Sequence, residues 1–249
     1  MTTDTILITG GTSGIGLELA KALHGQGHKV IITGRRQALL AQIAADFPGI
    51  ATYAQDVADA GAIPGFVAQV TKDHPALNMI ILNAGIMPAE TLSANPSDLT
   101  TSEQVIDINL TAPIRLTHAL LPHLTAQPKA RIVTVSSGLA FVPLAMTPTY
   151  SATKAAIHSW SQSLRYQLRN TSVRVTELAP PGVQTDLMPG HATNPAMMPL
   201  ADFISEVMAM LTAPEVPDEI LVERVKPLRF AETTGKHADV FAMLNGARH

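Results

Sequence analysis

Short apolar runs alternate along this chain with longer stretches of helical periodicity. TILIT (5–9) has no polar alternation and reads as a buried strand, and a helical pattern follows over 15–26. KVIIT (29–33) is the next strand, with a helix over 36–47. ATYAQ (51–55) is a weaker strand before a helix over 60–73, and NMIIL (78–82) is strand-like. A long helical region covers 98–125, ARIVTVS (130–136) is a strand, a helix covers 150–170, and SVRVTEL (172–178) is a strand again. Strands that are apolar on both faces and separated by helices predict a parallel sheet covered on both sides. The expected architecture is one α/β domain over 1–249 with a doubly wound sheet. Residues 185–199, TDLMPGHATNPAMMP, hold three prolines and a glycine and predict a long loop. Loops of that length often cover sites, so a substrate lid is expected over about 185–213. An atypical C-terminal segment follows over about 214–249.

Composition narrows the function classes. A net charge of −3 gives no bulk attraction to nucleic acid or anionic lipid. Six Phe, three Tyr and one Trp are too few for a base-stacking platform. With no cysteine, disulfides, thiolate zinc sites and a cysteine nucleophile are excluded. Nine histidines show no HExxH and no other paired metal spacing, so no metal is expected. The N-terminus, MTTDTILITGG, has no basic leader, and the apolar runs fall short of the ~20 residues of a membrane span. A cytoplasmic protein without nucleic-acid or membrane partners is expected.

ITGGTSGIG (8–16) sits between the first strand and the first helix, with glycines at Gly10, Gly14 and Gly16. Such glycines permit a tight turn and let backbone N–H groups approach a pyrophosphate at a helix N-terminus. The sheet is therefore expected to be of Rossmann type. At the end of the second strand, where an acidic residue would bind the ribose of NAD, stand Arg35 and Arg36. A guanidinium fork suits the 2′-phosphate of NADP. NADP(H) is the expected cofactor and NAD(H) the alternative.

TPTYSATKAAI (147–157) places Tyr150 and Lys154 four residues apart on one face of a predicted helix. By spacing alone this is also an ordinary surface pair. Ser137 lies 13 residues before Tyr150.

Assembled, these motifs resemble the short-chain dehydrogenase/reductase family, in its ~250-residue branch. TGGTSGIG, LNAG (82–85), VTVSS (133–137), YxxxK at 150–154 and APPGVQT (179–185) occur in the family's order. The resemblance implies that Thr12, Ser13 and Ile15 join the three glycines around the cofactor. It places adenine near Asp56 and Val57, and Asn83, Ala84 and Gly85 along the cofactor. Pro181, Gly182, Val183 and Thr185 would surround nicotinamide and pyrophosphate, with Tyr150 and Lys154 also touching the cofactor. It implies a catalytic set of Asn109, Ser137, Tyr150 and Lys154, interconverting a carbonyl and an alcohol on a small molecule.

Physical chemistry adds detail to that set. Free tyrosine ionises near pH 10, and lowering this by about three pH units takes roughly 4 kcal/mol. The Lys154 ammonium is expected to supply much of it, making Tyr150 the general acid/base. Ser137 would donate to the substrate oxygen. Pro113 lacks an N–H, so the carbonyl of Asn109 loses a helical partner and the helix is expected to kink. The resemblance implies a water there, leading to Lys154. The small residues Ser151, Ala152, Ala155 and Ala156 are expected to let this helix approach the cofactor and its neighbours closely.

Other features stay outside the motifs. His158 is read as packing or interface and Trp160 as a dimer contact. The methionines around 188–210 are read either as core filling or as a greasy lid. The C-terminus lacks the family's glycine-rich last strand, which favours a homodimer over a tetramer. KHADVFAMLN (236–245) predicts an amphipathic helix. This end resembles a subgroup with members named after a D-alanine–teichoic acid operon. A non-catalytic dinucleotide sensor on the same scaffold is the reading from another class.

Overall fold

The computed structural model describes residues 3–91 and 99–246. Seven parallel strands form one sheet in the order β3-β2-β1-β4-β5-β6-β7. They are β1 (Thr5–Thr9), β2 (Lys29–Gly34), β3 (Ala51–Ala54), β4 (Leu77–Leu82), β5 (Ala130–Val135), β6 (Val173–Leu178) and β7 (Glu219–Ile220). The strand order reverses between β1 and β4, which opens a crevice at their C-terminal ends.

Alternate side chains along each strand feed two cores. Ile6, Ile8, Val30, Ile32, Met79 and Ile81 face α1 (Gly14–Gly25), α2 (Gln37–Asp46) and α7 (Leu200–Leu211). Leu7, Ile31, Ile80 and Ile132 face α3 (Ile63–Asp73), α5 (Ala112–Ala126) and α6 (Pro148–Leu168). On α5 the stripe Leu116, Leu120 and Leu124 has i, i+4, i+8 spacing and is buried. Each such leucine contributes roughly 2 kcal/mol.

The predicted helix over 98–125 is not one α-helix, and its first residue lies outside the described residues. It comprises α4 (Thr100–Ile106), a π-turn over Asp107–Thr111, and α5. The N–H of Ala112 reaches back to the carbonyl of Asp107. Pro113 sits at the start of α5, where its missing N–H is accommodated by this wider turn. The expected kink is thus a one-residue insertion.

The lid expectation over 185–213 divides. Its second half is α7, an ordinary core helix with Phe203 and Val207 fully buried against α1. Met198 and Met208 fill the same core. The stretch before Leu200, including a 3₁₀ turn over His191–Thr193, is loop, as are Thr212 and Ala213 after the helix. On α6, Ser151 is buried, Ala156 is half-buried, and Ala152 and Ala155 are exposed in this chain. The C-terminal segment supplies the two-residue β7, a 3₁₀ turn over Glu223–Val225, α8 (Lys226–Arg229) and α9 (His237–Gly246). No described helix is long and apolar enough to cross a membrane.

Candidate active site

The crevice holds a cleft of about 1350 Å³. Every site residue expected from sequence lines it except Gly16 and Asn109. Gly10 and Gly14 adopt positive φ (67° and 54°), which favours glycine. Gly16 is required for a different reason. A Cβ there would lie 2.4 Å from Nδ2 of Asn83 and 2.5 Å from the carbonyl oxygen of Gly10.

Asn83 was expected to line the cofactor. It does line the cleft, but its amide is committed to the fold. Nδ2 donates to the carbonyls of Thr9 (3.0 Å) and Gly10 (3.2 Å), tying the end of β4 to the glycine turn. Thr9, absent from the expectations, completes the tie: its hydroxyl accepts from the N–H groups of Asn83 (3.0 Å) and Ala84 (3.1 Å). A threonine at the end of a β-branched strand carries no sequence signal of this.

At the β2 end the two arginines differ. Arg36 donates from one terminal nitrogen to the hydroxyls of Thr12 and Ser13, each at 2.9 Å. It therefore bridges β2 to the glycine turn. Arg35 is exposed and also lines the cleft. Asp56 closes its own turn, accepting from the N–H of Ala58 at 3.0 Å.

The strand end β5 and the helix α6 bring three groups together. Ser137, just after β5, has a hydroxyl that accepts from the N–H of Leu139 (3.1 Å) and hydrogen-bonds the Tyr150 phenol. Lys154 donates to the carbonyl of Val135 at 2.8 Å, and its Nζ lies 5.5 Å from the centre of the Tyr150 ring. All three side chains are buried. Burial pushes the Tyr150 phenol up to about 12, partly offset by the Ser137 hydrogen bond. Burial pushes the Lys154 ammonium down to about 8. This corrects the expectation of a phenol lowered by its lysine. In the protein alone, desolvation sets the direction for the phenol, and the Lys154 ammonium is directed at the Val135 carbonyl.

Asn109, in the π-turn, is 1% exposed. Its Oδ1 accepts from the N–H of Ile86, and its Nδ2 donates to the carbonyl of Ile86, each at 2.9 Å. Its side chain thus fastens the loop after β4. Gly85 gives it room, since a Cβ there would sit 3.3 Å from Oδ1.

Behind Ser137 lies a network the sequence did not reveal. Glu177 on β6 is fully buried. One of its oxygens accepts a short bond from the Ser136 hydroxyl, and the other meets Nδ1 of His158 at 2.8 Å. Phe141 packs edge-on against the His158 ring. His158 is therefore an internal bridge from α6 to β6, in line with the packing reading. Trp160 is half-buried against the α6-side core. Glu219 comes within 4.8 Å of the His158 and Glu177 donor atoms but is held by a two-pronged ion pair with Arg229 (2.7 and 3.0 Å). Its carboxyl is held below the usual range chiefly by that pairing.

Glu90 was also missed. Its carboxylate accepts from Ser102 (2.6 Å) and from both the hydroxyl (2.7 Å) and the N–H (3.1 Å) of Thr149. It caps α6 one residue before Tyr150. Burial acts to raise its carboxyl, but the three hydrogen bonds together outweigh burial and hold it below the usual range.

A parallel sheet with a glycine turn beside its reversal point defines a nucleotide-binding α/β protein of Rossmann type. A sequence model of the short chain dehydrogenase family matches residues 4–195. The chain belongs to that family and is one of its oxidoreductases. It is 48% identical over 187 residues to the uncharacterized oxidoreductase DltE of Bacillus subtilis (strain 168), covering 75% of this chain and 74% of that one. A solved serine dehydrogenase, described as a closed form complexed with NADP⁺, superposes with a TM-score of 0.78 at 27% identity, covering 86% of this chain and 92% of that one. A short chain dehydrogenase from Burkholderia cenocepacia J2315 in complex with NADP has a TM-score of 0.81 at 19% identity, covering 97% of both chains, and shares the fold.

Proposed function

We propose that this chain interconverts a carbonyl compound and an alcohol using NADP(H), with Tyr150 as general acid/base. The observation that carries this reading is the buried Ser137, Tyr150 and Lys154 set in the same cleft as the glycine turn. The bound cofactor would supply the hydride that adds to the carbonyl carbon. As the C=O π electrons move to oxygen, the Tyr150 O–H would give that oxygen its proton. Ser137 would donate to the same oxygen and lower the cost of its developing charge. Lys154 would hold the cofactor ribose and attract the phenolate that remains until a proton returns from water near Asn109.

The glycine turn fits a dinucleotide, because side chains at Gly10 or Gly16 would strike Ala84, Asn83 or the Gly10 backbone and break the tight turn that aims backbone N–H groups at a pyrophosphate. NADP(H) is favoured by Arg35 and Arg36 at the end of β2, where Gly34 and Gln37 flank them and no carboxylate intervenes. The NADP⁺ complex of the 27% identical serine dehydrogenase supports the same choice.

The test is a panel of aldehydes, ketones and alcohols with each nicotinamide cofactor, followed by nicotinamide absorbance. Turnover with NADPH, lost by orders of magnitude in Tyr150→Phe with cofactor binding retained, is the expected result. Tight cofactor binding without turnover of any compound would point to a sensor instead. Turnover by Tyr150→Phe near the parent rate would sink the mechanism.

A further inference from the structure

The cleft has a wall that the family match does not cover, since that match ends at residue 195. Leu228 of α8 and Leu244 of α9 both line it, together with Tyr150. Leu228 is seated against the turn after Ser137: a Cβ on Gly138 would lie 2.6 Å from its Cδ1. Asn245 fastens α9 to the segment between Ser137 and Tyr150. Its Oδ1 accepts from the N–H of Ala145 (2.6 Å), and its Nδ2 donates to the carbonyl of Pro143 (3.1 Å). α9 has no fully buried residue of its own, so these contacts and its link to α8 define its place.

The chemistry of this end is apolar. Leu139, Leu144, Met146 and Met188 line the same cleft. Among the lining residues, Lys154 is engaged with Val135, Arg35 and Arg36 follow β2, three strands from β5, and His191 lies in the loop before α7. A carboxylate or phosphate on the substrate would find little here to hold it.

We propose that α8 and α9 form the specificity wall of the substrate site, with Leu244 gauging an extended apolar group on the carbonyl compound and Asn245 latching the wall shut. This rests on the reaction proposed above. Leu244 is a specificity residue and Asn245 a positioning residue that acts through it. Substitutions on α9 remove no core side chain, so the variants should fold.

The test uses straight-chain aldehydes from butanal to dodecanal with NADPH, reading kcat and KM separately. The parent enzyme should favour the longer members. Leu244→Trp should move the optimum to shorter chains and Leu244→Ala to longer ones. Asn245→Ala should flatten the length dependence, changing the ratio of kcat/KM between decanal and butanal roughly tenfold, mainly through KM. The NADPH-induced rise in Tm should match the parent's in all three. Turnover with an unchanged length profile in all three variants overturns the specificity wall alone. No turnover of any aldehyde by the parent, with either cofactor, overturns the proposed reaction and the wall with it.

Discussion

Asn109 grips Ile86 by both of its backbone polar groups, accepting from the N–H and donating to the carbonyl at 2.9 Å each. A side chain in this position acts first on loop geometry, whatever its backbone does for proton transfer. Asn109→Leu leaves two part-buried backbone groups without partners. A loss of about 2–4 kcal/mol in urea unfolding is expected. A loss under 0.5 kcal/mol would mean that water replaces the amide without cost.

Arg36 and Arg35 should contribute unequally to cofactor choice. Arg36 already contacts Thr12 and Ser13, so its guanidinium is pre-placed beside the glycine turn. Arg36→Ala should weaken NADPH by roughly ten- to a hundredfold while changing NADH much less. Arg35→Asp should reverse the order in which NADP⁺ and NAD⁺ raise Tm. An unchanged preference in both variants would remove the arginines as discriminators.

The buried lysine makes stability depend on pH. Lys154 is pushed from 10.5 to about 8 in the folded protein. Between these values the unfolded chain binds a proton that the folded one does not, so stability rises with pH. This contribution is lost as pH falls through about 8. Its full size is on the order of 3 kcal/mol. Tyr150 works in the opposite sense at higher pH: raised to about 12, its neutral phenol favours folding below pH 10, and that contribution is lost as pH rises through 10–12. Urea midpoints of cofactor-free protein should therefore climb from pH 7.5 to 10, and Lys154→Met should flatten the climb. An equal climb in the variant would assign it to other groups.

Glu177 should matter to rate as well as stability. Its bond to Ser136 fixes the residue between Val135, which receives Lys154, and Ser137, which meets Tyr150. Glu177→Leu leaves the Ser136 hydroxyl and the His158 ring without their buried partner. A loss of about 2–4 kcal/mol and a lower kcat are expected. Glu177→Gln keeps an acceptor for Ser136 and should recover most of the kcat. Equal kcat in Leu and Gln variants would reduce the network to packing.

The sheet was legible because Ile6, Leu7 and Ile8 are apolar without alternation, which only a strand buried on both faces requires. Gly10, Tyr150 and Lys154 were legible because turn and helix geometry constrain their spacing locally. Thr9, Glu90 and Glu177 were not, because their partners lie tens of residues away and a lone threonine or glutamate reads the same in any context. The ionisation of Tyr150 was misjudged because spacing gives proximity but not dryness: the lysine is near, yet the site is desolvated and Lys154 donates its hydrogen bond to the Val135 carbonyl. Leu244 and Asn245 were placed on a helix, but nothing in that helix shows where its end docks.

The π-turn over Asp107–Thr111 sets the phase of everything after it. One residue more than an α-turn rotates the following helix by about 100°. The stripe Leu116, Leu120 and Leu124 meets the sheet only with that rotation included. Removing a single residue from 107–111 would swing the stripe off the sheet while also displacing Asn109. At this point the chain should tolerate many exchanges of side chain but no change of length.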